Sequence, residues 1–179
     1  MLNTIAIEHQ IWIAVPRQGV WCSITEAVQL AQWWPPDHWD IPVLEVGASV
    51  IYGFGLEVRP STITTVESLR EFSVCVEPCA FHPDFRPTTT FSLAEEDGGT
   101  RLTLTQTGYE GLPNPCRHYH MAECAIGYES VLENLKWYLE ETIRTAHDIL
   151  APHQSNTKQS PAAIPLPVYS SQEAISILA

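Results

Sequence analysis

Phe91-Ser-Leu-Ala-Glu-Glu-Asp-Gly-Gly-Thr100-Arg-Leu-Thr-Leu-Thr-Gln-Thr107 reads as a hairpin, and the chain from Asn114-Pro115 to Ile143 reads as one long helix. Together they decide the fold. Asp97-Gly98-Gly99 supplies the turn, because glycine takes up the positive φ that tight hairpins need. In the second arm Leu102 and Leu104 alternate with Thr103 and Thr105, the period of a half-buried strand. Asn114 suits a helix N-cap and Pro115 the first helical position. Met121, Ala125, Tyr128, Leu132, Leu135, Leu139 and Ile143 then recur at spacings of three and four. That is a single apolar stripe over roughly 40 Å of helix, at about 1.5 Å per residue. A helix this long, striped on one side and following strands, needs a sheet to lie against.

The earlier chain supplies that sheet. Thr4 to Ile13 reads as a strand with Ile5, Ile7, Ile11 and Ile13 on one face, ended by Pro16. Val20, Trp21, Ile24, Ala27, Val28 and Leu30 indicate one or two short helices, stopped by Pro35-Pro36. Between Asp40 and Glu77 three or four strands are broken at Gly47, Gly53-Phe54-Gly55, Pro60 and Leu69-Arg70. Sequential hairpins make the sheet antiparallel. The expected class is α+β, with an antiparallel sheet of about six or seven strands on a long C-terminal helix and two short helices after the first strand.

The chain has 179 residues, which fits one domain at 1–148 and a Pro-rich tail at 149–179. Ala151 to Ser171 carries Pro152, Pro161, Pro165 and Pro167 among Ser, Gln, Asn and Thr, and reads as an extended, disordered linker. Ser170-Ser-Gln-Glu173 resembles a capping box before a short terminal helix, either a frayed end or a docking segment. Nine basic residues against 21 acidic ones leave a net charge of −12, and Lys136 and Lys158 are the only lysines. Such a surface repels nucleic-acid phosphates and anionic lipid, so neither nucleic acid nor a membrane is an expected partner. No basic-then-apolar leader and no 18-residue apolar run is seen, and five cysteines fit reduced thiols, so a cytoplasmic location is expected.

Several pieces in order resemble a known family. They are Val15-Pro16, Val20-Trp21, Ile24-Thr25, Leu30-Ala-Gln-Trp33-Trp34-Pro35, Glu45-Val-Gly47-Ala and the Gly98-Gly99-Thr100-Arg-Leu-Thr-Leu-Thr run. Gly127-Tyr128-Glu-Ser-Val-Leu132-Glu-Asn-Leu135-Lys-Trp-Tyr-Leu139-Glu completes the set, and the whole covers residues 4 to 145. The chain is similar to the SRPBCC superfamily (START, Bet v 1-like), and within it to the Activator of Hsp90 ATPase homologue 1-like domains. The resemblance implies a helix-grip fold, in which a curved antiparallel sheet wraps the long helix and leaves an apolar cavity between them. It carries over a shape, not a catalytic set.

In such a cavity Trp39, Tyr52, Phe54, Phe91, Tyr109 and Tyr119 are the candidate wall residues, and His120 and Glu123 the candidate polar contacts. Large aromatics bury much area and can still offer a polar edge to a ligand. Each has a plainer reading as core or solvated surface. Trp33 and Trp34 accompany Trp39 around the two prolines, with Trp34 the core residue and Trp39 the rim. Glu57, His82, His118, His120 and Glu123 are the carboxylates and imidazoles that a buried base would use, yet no triad, nucleophile elbow, phosphate loop or H-E-x-x-H is legible. The function expected is a non-enzymatic module for a small apolar or amphipathic ligand, without a cofactor. A chaperone-associated interaction protein and a cyclase- or hydrolase-type enzyme are the alternatives, since fold alone does not decide among them.

Cys116, His120 and Cys124 share a helix face, and Cys75, Cys79 and His82 form a second local group. Cys116 and Cys124 are separated by roughly 12 Å of helix rise, so both reach one ion only by leaning together around His120. No resident metal is expected. Purified protein should carry substoichiometric zinc, and a chelator should leave its Tm unchanged. One tightly held zinc per chain, lost with stability in Cys116→Ser, is the contrary result.

Overall fold

The computed structural model describes residues 5–34, 39–51, 60–78 and 82–150. Strand β1 (Ile7–Ile13) leads into helices α1 (Arg17–Thr25) and α2 (Ala27–Trp33). Strands β2 (Ser49–Ile51), β3 (Pro60–Glu67), β4 (Glu71–Val76), β5 (Thr88–Glu96) and β6 (Gly99–Thr107) follow. A 3₁₀ turn (Tyr109–Gly111) then delivers the chain into α3 (Asn114–Leu150). The strands form one antiparallel sheet in the order β1-β6-β5-β4-β3-β2, so β1 and β2 are its edges. This is the helix-grip architecture expected from the sequence, with six strands among the described residues. The tail from 151 onward, with its capping box, lies outside the described residues.

Alternation sets the inner face. Ile7, Ile11 and Ile13 of β1, Leu102 and Leu104 of β6, Phe91 and Leu93 of β5, Phe72 and Val74 of β4 and Ile63 of β3 are all buried there. The hairpin that pins β5 to β6 turns through Asp97 (φ 49°) and Gly98 (φ 76°), a left-handed conformation that most L residues avoid and that glycine and aspartate tolerate. Where the chain leaves β6, Gly108 has φ 92°, and a Cβ there would lie 2.3 Å from the carbonyl oxygen of Arg86. Only glycine allows the turn that starts the chain toward α3.

Helix α3 crosses the inner face with Tyr128, Val131, Leu132, Leu135 and Leu139 buried beneath it, while Ile143 is exposed. Its backbone lies nearest β1. Side chains of α3 finish that edge strand. Lys136 Nζ donates to the Trp12 carbonyl at 2.9 Å, and the Ala14 N–H donates to Glu140 Oε1 at 3.0 Å. Lys136 and Glu140 also pair with each other, and the ammonium sits 5.3 Å from the Trp12 ring centroid. An open sheet edge invites pairing with other chains, and here two of its backbone groups are occupied.

These contacts hold the Glu140 carboxyl below the ordinary glutamate range. Its partial burial pushes the other way, but the Ala14 N–H and the Lys136 ammonium outweigh it. A depressed folded value gives stability that is complete above the unfolded-state pKa and is lost as pH falls through the folded one. Glu140→Gln should therefore cost about 1 kcal/mol at neutral pH, discounted for its partial exposure. The deficit should shrink in acid. Urea melts at neutral and acidic pH check this, and an equal deficit at both would remove the charge from the account.

Candidate functional site

Two strands break their own apolar alternation at the same place. In β6 the inward series Leu102, Leu104 ends in Gln106, and in β5 the series Leu93, Phe91 ends in Thr89. Thr89 and Gln106 are direct cross-strand partners, so one polar patch results on the inner face. Tyr128 descends onto it from α3, and Tyr109 comes in from the 3₁₀ turn. All four are buried. Gln106 Nε2 donates to Thr89 Oγ1 at 3.0 Å and to the Tyr128 hydroxyl at 2.5 Å, while the Tyr109 hydroxyl donates to Gln106 Oε1. Thr89 and Tyr128 share a further hydrogen bond at 3.3 Å. Both Gln106 amide hydrogens and its carbonyl are thus engaged.

Burial pushes the Tyr109 and Tyr128 phenols far above the ordinary tyrosine range. Burial likewise raises the Cys124 thiol, which lies in hydrogen-bond contact with Tyr109. The cluster is therefore a set of neutral donors and acceptors at neutral pH, and its thiol is a poor nucleophile.

Above this patch α3 changes character. From Tyr128 to Leu139 its sheet-facing residues are buried, whereas Arg117, His120, Met121, Cys124 and Ala125 before them are only half-buried. Phe85, from the loop before β5, flanks this seam, with its ring 5.7 Å from Tyr109 and 5.9 Å from His120. His82 lies 6.5 Å from His120, ring to ring. On the other side Trp34 is buried 6.2 Å from both Phe91 and Tyr128.

The candidates named from sequence are distributed as follows. Tyr109 is in the polar cluster and His120 is on the seam. Phe91 is fully buried, stacked 6.5 Å from Phe72. Trp39 is half-buried against Trp34 at 5.1 Å and donates its indole N–H to the Trp34 carbonyl at 3.1 Å. Tyr119 is 59% exposed and Glu123 is exposed, so both are on the outer side of α3. A hydrogen bond to Glu123 pushes the Tyr119 phenol upward. Tyr52, Phe54, Glu57 and Cys79 lie outside the described residues. Thr89, Gln106 and Phe85 were not singled out, although the two polar residues ending apolar series were a readable signal. Among the described residues no group of three or more His, Cys, Asp or Glu is placed to hold a metal ion. None of the helices described is long and apolar enough to cross a membrane.

Residues 14–140 match the family described as Activator of Hsp90 ATPase homolog 1-like protein. Solved structures share the fold. Protein MLL2253 from Mesorhizobium loti superposes with a TM-score of 0.64 at 22% identity, covering 76% of this chain and 98% of that one. The Aha1 dimer from Colwellia psychrerythraea gives 0.62 at 20% identity, covering 76% and 96%. DynU16, a putative protein in the dynemicin biosynthetic locus, gives 0.62 at 20% identity, covering 75% of this chain and 47% of that one. No curated protein matches the sequence.

Phenols held neutral by burial stabilise the fold fully below the unfolded tyrosine pKa of about 10, and that contribution is lost as pH rises beyond it. An alkaline titration followed at the phenolate band should show Tyr109 and Tyr128 silent until the chain unfolds. Tyr109→Phe with Tyr128→Phe should leave the amplitude of the folded-state titration unchanged. A reduced folded amplitude in that variant would place at least one of the two phenols in contact with water.

Proposed function

The chain belongs to the Activator of Hsp90 ATPase homolog 1-like family, and from that premise we propose that it is a non-catalytic binding module for a small amphipathic molecule. The ligand lies between the first half of α3 and the sheet. Its apolar body packs on Met121, Ala125 and Phe85, and its polar end approaches the Thr89–Gln106–Tyr109–Tyr128 cluster. Trp39 and Phe91 complete the wall on the side of the first two helices, and Tyr119 and Glu123 stand at the outer rim.

One observation carries this reading. The sheet-facing stripe of α3 is packed to core burial from Tyr128 to Leu139 and left half-buried before Tyr128, although Met121, Cys124 and Ala125 are apolar. Apolar surface of that kind over a polar anchor is what an amphipathic ligand covers. The neutral state of the cluster supports binding over acid–base catalysis, because none of its groups titrates near pH 7. DynU16, from a biosynthetic locus, places a similar fold beside small-molecule chemistry.

A second reading has its own observation. Tyr119, Ile126 and Trp137 are all exposed, and at intervals of seven and eleven residues they return to one side of α3, away from the sheet. That outer face suits a protein partner, and the family description makes a chaperone the class to try.

An environment-sensitive apolar dye should bind the purified protein stoichiometrically, and fatty or aromatic amphiphiles should displace it. Ala125→Trp, which fills the seam from a half-buried position, should weaken dye binding at least about tenfold with the far-UV spectrum unchanged. Full dye affinity in a folded Ala125→Trp variant would move the ligand elsewhere.

A further inference from the structure

We propose that the ligand of this seam carries a carboxylate at the end away from the buried polar cluster, and that Arg117 receives it. This rests on the binding reading above and adds the chemical class of the ligand.

Arg117 holds a position where a charge has to be explained. It precedes Met121, Cys124 and Tyr128 by four, seven and eleven residues, so all four share one stripe of α3, within about 40° of one another at 3.6 residues per turn. That stripe faces the sheet, and Arg117 is half-buried at its open end. The other cations whose side chains are described each pair with a glutamate: Arg17 with Glu95, Arg70 with Glu67, Arg86 with Glu77, Arg101 with Glu96 and Lys136 with Glu140. Arg117 meets only backbone. Its Nη2 donates to the carbonyls of Leu112 at 2.9 Å and Glu110 at 3.4 Å. The Glu110 carboxylate is itself turned to the Ile5 N–H, at 3.4 Å.

Holding the turn that opens α3 accounts for one guanidinium nitrogen of three. Nε is buried without a hydrogen-bond partner among the described residues, and Nη1 has none there either. Two carbonyl dipoles fix the group in place and leave its charge uncompensated, which is costly for a donor partly out of water. A carboxylate supplies both the opposite charge and the missing acceptors.

The surroundings favour a carboxylate on an apolar body. His120, three residues on, neighbours Arg117 on the helix surface. Its ring lies 5.9 Å from Phe85 and 6.5 Å from His82. A guanidinium and two imidazoles thus border one end of the seam, and Met121 and Ala125 continue it toward the cluster against the core. A free anion is repelled by the net charge of −12 before contact. An amphipathic acid overcomes this by burying its chain, which brings the charge to Arg117. One guanidinium matches one carboxylate, whereas a phosphate dianion calls for further cations.

The test uses matched pairs that differ only at the polar end: decanoate against decanol, and 2-naphthoate against 2-naphthol. Dye displacement is run on the full chain at about pH 8, where carboxylates are charged and phenols neutral. An apolar seam alone would favour the alcohol, because the acid must shed more water. Here each acid should bind at least as tightly as its partner. Arg117→Gln should weaken the acids at least about tenfold, the range of a charge-assisted hydrogen bond, and leave the alcohol and phenol within about twofold. In the wild-type protein the Arg117 Nε–H signal in nitrogen-15 NMR should move with decanoate and stay in place with decanol, a readout independent of how the variant folds. Acids that bind wild type more weakly than their partners overturn the carboxylate while leaving the seam as a binding site. So does an Arg117→Gln variant that keeps its acid affinity or loses both members of a pair equally, and so does an Nε–H signal that answers decanol as it answers decanoate. If no member of either pair displaces the dye, the binding reading itself fails.

Discussion

A sheet ends in strands whose outer backbone groups must go somewhere, and in this chain the solution at β1 ties the sheet to its helix. Lys136 and Glu140, one turn apart on α3, take the Trp12 carbonyl and the Ala14 N–H, which no strand among the described residues pairs. The opposite edge is β2, described over Ser49–Ile51. Because Lys136 and Glu140 fix both the height and the rotation of α3, everything else on the helix follows from helical geometry. Leu135, Leu132 and Tyr128 fall on the inner face, and Tyr128 lies two turns before Lys136, over the partnered Thr89 and Gln106. An apolar stripe alone tolerates sliding by a turn; these directional contacts at two points do not.

The buried polar cluster is the second consequence of that fixed register. Leaving any of its groups unpaired would cost more than each bond contributes, so the cluster tolerates few alternative positions of Tyr128. It also marks where tight packing stops. On its far side the aromatic series Trp21–Phe72–Phe91–Trp34 fills the interior with rings at centroid separations of 6.2 to 6.5 Å. On its near side the first half of α3 holds smaller or polar residues, Cys124, Ala125 and His120, over the sheet. Residue size along one stripe thus divides the helix into a structural half and a half with surface to spare.

The fold was legible because its signals are local: the Asp97-Gly98 turn, the Thr/Leu alternation of β6 and the apolar periodicity of α3 each need only neighbours in sequence. Strand order followed from hairpins of adjacent segments. What sequence could not show was pairing across long separations. Lys136 and Trp12 are 124 residues apart, and nothing local in either announces the contact. The site lies between these cases. Tyr109 and His120 were readable as aromatics and imidazoles near the start of a long helix. Thr89 and Gln106 gain meaning only once the β5–β6 register puts them side by side. Phe91 read as a wall residue, and its place in the aromatic series comes from tertiary packing that alternation does not encode. Ile143 extended the stripe in sequence, yet it is exposed because by that point α3 has passed beyond the strand it covers.

Charge distribution connects the scaffold to the site. With few cations in the chain, every one whose side chain is described is spent on holding the fold: four on glutamates at strand ends and loops, one on the β1 edge and one on the turn into α3. The surplus carboxylates spread over the surface, where solvent screens them at little cost to the fold. Among the described residues the inward polar groups are two phenols, a threonine, an amide, a thiol and the His9 imidazole, so the interior is held by hydrogen-bond geometry and packing rather than by ion pairs.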